Sequence, residues 1–186
     1  KINVLGMRSL LLRTSNLCHQ YGKDFIAHGW SQFNPAATHF ADYFFPGEQY
    51  SEKPQMRKSP YYYFDHITDG EYRSELNQRL KGTSIIFLPN LTRTNQKYGT
   101  AECTMAMLTK LLLNDIQVFN HFCDGEVIEK VWTAKSDFKL NKATVRLYDK
   151  QKEIKTNNEN VVVTYYNCPD EKVLAIIGNI SKEEQS

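Results

Sequence analysis

The sequence predicts a mixed α/β fold, with parallel strands alternating with helices and antiparallel strands after them. Three observations predict it. Short continuous apolar runs, at Phe25-Ile26-Ala27, at 40–45 and at Ser84-Ile85-Ile86-Phe87-Leu88, suit strands covered on both faces, as in parallel sheets. Segments of helical period lie between or beside these runs. Beyond about residue 124 the period changes: Ala143, Val145 and Leu147 alternate with Thr144, Arg146 and Tyr148, as in a half-buried antiparallel strand.

Residues 7–21 read as an amphipathic helix, with Met7, Leu10, Leu11, Leu17, Cys18 and Tyr21 near helical spacing and Gly22 as its left-handed stop. Phe25-Ile26-Ala27 is a short buried strand that runs into His28-Gly29-Trp30. About ten residues separate it from the next strand, leaving room only for a bare helical turn near Pro35 to Thr38. A long irregular segment, 48–67, holds the aromatic block Tyr61-Tyr62-Tyr63-Phe64. Thr68-Asp69-Gly70-Glu71 has capping-box spacing and opens a helix running to about Leu80, closed by Lys81-Gly82.

The strand at 84–88 ends at Pro89-Asn90. Residues 100–114 predict a further helix, with Ala101, Met105, Leu108, Leu111 and Leu112 on its core face, and 115–119 one more short strand. Residues 161–166 and 172–178 form a hairpin across Cys168-Pro169-Asp170-Glu171. The α/β portion, 1–124, has three or four strands, against about eight in a complete barrel. The β portion, 125–186, has too few to close two sheets. The expectation is the C-terminal part of a (β/α)8 barrel followed by the start of an antiparallel β-sandwich domain.

Hydrophobic content of 41% and charged content of 24% are ordinary for a globular chain of 186 residues. The net charge is +2 and the basic residues are scattered, which argues against nucleic acid as a partner. Cys18, Cys103, Cys123 and Cys168 lie far apart, so neither metal-ligand spacing nor a disulfide scaffold is indicated. No cofactor motif, phosphate loop or membrane span is present in the sequence, and nothing in it indicates an oligomeric state.

Polar residues just past the C-terminal ends of parallel strands are where such folds place their ligand sites. The run at 40–45 ends at Pro46-Gly47 and is followed by Glu48, Gln49 and Tyr50, a pattern that points to polar ligands, sugars included. Glu48 is the leading candidate, because a carboxylate takes two hydroxyl hydrogen bonds. Its alternative is an ion pair with Arg57 or Arg93. His28 suits a hydroxyl or a neighbouring carboxylate, or a structural role. Trp30 suits a stacking platform, or packing. Asn90 suits a sugar position, or capping of its own loop. Tyr50 and Asp42 are further candidates, with Asp42 alternatively a structural partner inside the strand.

The chain also resembles a known group. The resemblance runs through Gly6-Met7-Arg8, Phe25-Ile26-Ala27-His28, Phe40-Ala41-Asp42 with Gly47-Glu48, and Ile86-Phe87-Leu88-Pro89. It continues through Trp132, Phe138 and Ala143, Val163-Thr164-Tyr165-Tyr166, and Val173-Leu174-Ala175-Ile176-Ile177-Gly178-Asn179-Ile180-Ser181. In that order these motifs are similar to the C-terminal half of bacterial glycoside-hydrolase-like proteins related to family-123-type N-acetylgalactosaminidases. The resemblance implies a (β/α)8 barrel with a following β-sandwich, a carbohydrate substrate, and a periplasmic or extracellular location.

It further implies a substrate-assisted retaining mechanism, an exception to the two-carboxylate nucleophile scheme. There an adjacent Asp-Glu pair orients the sugar's acetamido group and protonates the leaving oxygen. By the family's layout that pair sits on an earlier strand. Asp170-Glu171 is the wrong place for it, and the catalytic residues are expected outside this chain. Asn90-Leu91-Thr92 and Asn179-Ile180-Ser181 match a glycosylation sequon, a chance match in a bacterial protein.

Overall fold

A computed structural model describes residues 4–28, 39–51, 58–77 and 83–181. Trp30, Arg57, the expected turn near Pro35 to Thr38 and the expected helix end at Leu80 to Gly82 lie outside the described residues.

Helix α1 spans Val4–Gln20 and stops at Gly22, whose φ is +64°, with Lys23 N–H donating to Cys18 O at 2.9 Å. Its contact flank is narrow, running through Met7, Leu11, Ser15 and Cys18. Leu10 and Leu17, expected in the core stripe, are exposed instead, because they lie about 100° around the helix from that flank.

Strands β1 (Ile26–His28), β2 (Tyr43–Phe45), β3 (Ser84–Phe87) and β4 (Gln117–Val118) form one parallel sheet in the order β1-β2-β3-β4. Ala27 stands opposite Phe44, Phe44 opposite Ile85, and Phe87 opposite Val118. Phe44, Ile85, Phe87 and Val118 are buried, whereas Tyr43, Phe45, Ser84 and Ile86 on the other face are only half-buried. The expectation of strands covered on both faces is therefore corrected among the described residues. β1 is an edge strand and its Ile26 is 53% exposed, so it is not the buried strand its sequence suggests.

The covered face carries helices α4 (Asp69–Leu76), α6 (Ala101–Leu113) and α7 (Gly125–Asp137). Tyr72 and Leu76, Met107, Leu108 and Leu111, and Ile128 join Ile85, Phe87 and Val118 in one core. Each such side chain contributes about 1.5–3 kcal/mol through burial. The capping box of α4 is complete: Glu71 N–H donates to Thr68 Oγ1 at 3.2 Å and Thr68 N–H to Glu71 Oε2 at 2.8 Å. The core face of α6 runs through Cys103, Thr104, Met107, Leu108 and Leu111. Ala101 and Met105 lie outside it, rotated into solvent.

The segment 48–67 is less irregular than expected, containing the short helices α2 (Glu48–Ser51) and α3 (Tyr62–Asp65). Tyr63 meets Phe87 edge-on at 5.2 Å, and Tyr72 Oη donates to Tyr63 O at 2.7 Å. α5 is the turn Leu91–Thr94 after β3.

Helix α7 has no counterpart in the sequence reading, which has β-structure from 125. Val127, Ile128, Val131 and Trp132 do have helical spacing, and Asp124 caps the helix by accepting from Val127 N–H at 3.1 Å. Trp132 Nε1–H donates to Val118 O at 3.1 Å, tying α7 to the parallel sheet. Antiparallel structure begins only at β5 (Thr144–Arg146), followed by β6 (Val161–Asn167) and β7 (Val173–Asn179), in the order β5-β6-β7. The expected hairpin forms, with Tyr165 opposite Ala175 and left-handed backbone at Asp170 and Glu171 in its turn.

This second sheet docks on the end of α6. Thr164 Oγ1 donates to Leu113 O at 2.7 Å and Tyr166 Oη to Asp115 Oδ1 at 2.8 Å. A polar seam continues the contact. Asp69 accepts from Tyr148 and, at 3.1 Å, from Asn114 Nδ2, while Arg73 bonds both Asn114 and Asp149.

Candidate ligand site at the strand ends

Gly47 shapes the site. Its φ is +147°, and a Cβ there would stand 2.1 Å from Leu88 O. Only glycine lets the exit of β2 lie this close to the exit of β3, where Leu88 N–H donates to Pro46 O at 2.8 Å. The next residue, Glu48, opens α2 with only 7% of its surface exposed.

His28, the last residue of β1, places Nε2 3.1 Å from Glu48 Oε2, and its Nδ1–H donates to Phe45 O at 2.9 Å. Arg93, on α5, donates to Glu48 Oε1. Burial opposes the charge on Glu48, but the hydrogen bonds from His28 and Arg93 and the charge of Arg93 outweigh it. Its carboxyl therefore sits below the usual value of 4.5. A carboxylate held ionised in this way is a hydrogen-bond acceptor at neutral pH and a poor proton donor.

The other candidates separate. Tyr50 does not follow Glu48 onto a rim: it is 2% exposed, faces the core, and donates to Glu75 Oε2 at 2.6 Å. Burial first, then that bond, raises its hydroxyl far above the ordinary tyrosine value. The amphipathic start of α2 explains the difference, since Tyr50 is two residues past Glu48 and on the opposite side of the turn.

Asn90 lies past the end of β3, but it is fully buried, with its backbone N–H donating to Tyr63 Oη at 3.0 Å. Its Oδ1 and Nδ2 have no hydrogen-bond partner among the described residues, and it makes no side-chain cap on α5. Burial also closes its sequon in the folded chain. Asp42 has the structural role: at the start of β2, its Oδ2 accepts from Phe25 N–H at 2.7 Å and from His19 Nε2 at 2.8 Å. A concavity of about 840 Å³ opens at that opposite end of the sheet, lined by His19, His39, Asp42 and Ser84 among others. It holds none of the predicted site residues other than Asp42.

Sequence reasoning missed the loop after β4. Phe119, His121 and Phe122 stand there, with Phe119 5.2 Å from the Phe45 ring and the Arg93 guanidinium 5.9 Å from that of Phe122. The same strand-end rule that selected Glu48 points to them, since Phe119 ends the predicted strand at 115–119 and His121 and Phe122 follow it. Asp170 and Glu171 lie in the β6–β7 turn, where Lys139 Nζ pairs with Asp170 at 2.8 Å. Among the described residues no cluster of metal-ligating side chains occurs, and no helix is long and apolar enough to cross a membrane. No family model, curated protein or solved structure matches the chain.

Proposed function

We propose that this chain contributes part of a carbohydrate-binding pocket in a glycoside-hydrolase-like protein, its parallel sheet being the C-terminal part of a (β/α)8 barrel. The observation that carries the reading is the His28–Glu48–Arg93 cluster at the C-terminal ends of adjacent parallel strands. Strand order is compatible with the barrel. Right-handed crossovers between strands laid down in sequence leave helices on one face. A doubly wound sheet reverses order at a switch point, and β1-β2-β3-β4 does not reverse.

In this reading Glu48 takes substrate hydroxyls, and protonation falls to the adjacent acid pair that the family resemblance implies on an earlier strand. A non-catalytic glycan-binding protein on the same fold is the second reading. Hydrolysis of an aryl N-acetylgalactosaminide by the full-length protein separates the two. The binding role itself is tested by Glu48→Gln, expected to weaken sugar binding about ten- to a hundredfold without unfolding the protein. Unchanged binding with a large loss of thermal stability would make Glu48 structural instead.

A further inference from the structure

We propose that the aromatic loop at 119–122 is the apolar wall of this pocket, against which the C–H face of a pyranose ring stacks; the proposal rests on the carbohydrate reading above. Phe45, Phe119, His121 and Phe122 form a continuous series, with successive ring centroids 5.2, 6.4 and 4.0 Å apart. The series is attached to the polar cluster at two points. The carbonyl of Phe45 holds His28, and the ring of Phe122 lies under the guanidinium that holds Glu48.

None of these rings belongs to the buried core; Phe119 and Phe122 are half-buried and His121 is exposed. Phe122 is also strained. Its φ is +58°, a conformation a bulky side chain rarely adopts, and Thr92 N–H fixes its carbonyl at 2.9 Å. A strained aromatic that is excluded from the core and aimed at a strand-end cluster is poorly explained by packing. Beside an ionised carboxylate it matches a ligand with one apolar face and one hydroxylated edge, which is the chemistry of a pyranose.

The test is an NMR titration of the whole chain with galactose, glucose and their 2-acetamido forms, and with the open-chain alditol of whichever sugar binds. The alditol keeps the hydroxyls and has no ring face. We expect a sugar to bind and its alditol to bind about tenfold more weakly. Phe119→Leu and Phe122→Gly should each weaken the sugar about three- to tenfold. Phe122→Gly should do so without lowering the melting temperature, because glycine relieves the left-handed backbone. Unchanged sugar affinity in both Phe variants, with weakening by Glu48→Gln, would overturn the wall and leave the carbohydrate reading standing. A lower melting temperature for Phe122→Gly with unchanged affinity would make its ring a packing element. Failure of all four sugars to bind the wild-type chain would overturn both.

Discussion

Glu48 at the strand ends and Asp69 at the seam between the two sheets are both held below the ordinary carboxylate range, by different sets of partners. At each, burial opposes the charge and hydrogen-bonded partners overcome it. The partners differ. Asp69 is held by Tyr148, Lys110 and Asn114, and Asn114 in turn takes a bond from Arg73, which is itself tied to Asp149. Lys110 is only 15% exposed and Arg73 only 21%. The side chains that hold Glu48 are open, His28 being 43% and Arg93 51% exposed. A depressed carboxylate pKa therefore does not separate a clamp from a ligand site. In the carbohydrate reading proposed above, the reach of solvent to the partners does.

The largest expected effect breaks the comparison at one region only. Gly47→Ala puts a Cβ into the Leu88 carbonyl and should cost about 3 kcal/mol or more, read as a fall in the urea midpoint. Hydrogen exchange should speed first at Leu88, with Thr164 at the seam affected only through global unfolding. A loss under about 1 kcal/mol would mean that the strand exits part easily, and the steric account of the site would be abandoned.

Acid sharpens the comparison. Both folded pKa values lie below their unfolded values, so the unfolded chain binds more protons in the interval between them, and stability rises with pH there. The contribution is present above the ordinary values of 4.5 for Glu48 and 3.8 for Asp69, and is lost as pH falls through the folded values. Thermal melts from about pH 7 to about pH 3 should show Glu48→Gln flattening the upper part of the acid limb and Asp69→Asn the lower part. At neutral pH Asp69→Asn should cost more, about 2 kcal/mol, because it weakens the bonds from Tyr148, Asn114 and Lys110 together. Equal losses from the two variants would erase the distinction between clamp and site.

The smallest effect concerns Asn90. Its side chain has no partner among the described residues, so Asn90→Leu should change stability by less than about 1 kcal/mol and leave sugar binding untouched. A tenfold loss of binding would show that the residue reaches the ligand after all.

Much of the fold was legible because local rules governed it. The Thr68–Glu71 capping box, the stop at Gly22, the sharp exit at Gly47 and the β6–β7 hairpin each depend on a few neighbouring residues. What failed to read depended on rotation or distance. Leu10, Leu17, Ala101 and Met105 sit on helices whose existence is legible but whose rotation against the sheet is not. Helix α7 is hidden because the alternation that begins at Ala143 does not mark where the helical period ends. His28 and Glu48 were selected by the strand-end rule, and Arg93 was foreseen only as one of two ion-pair partners. Tyr50 and Asn90 obeyed the same rule yet are buried, since position along a strand does not fix depth. Phe119 and Phe122 needed the order of the sheet, which brings the end of β4 to the ends of β2 and β3.

Asp42 stands at the far end of the sheet from the site, and its bonds have a consequence there. It holds Phe25 N–H through its side chain and donates its own N–H to Phe25 O at 2.9 Å, one residue ahead of the three-residue pairing of β1 with β2. So short a parallel ladder carries little information about its own alignment, and a slip of one residue would exchange the two faces of β1. His28 would then point to the helix-covered side, away from Glu48. The carboxylate at the bottom of the sheet thus acts as an index mark, setting by its count from Phe25 which imidazole is presented at the top.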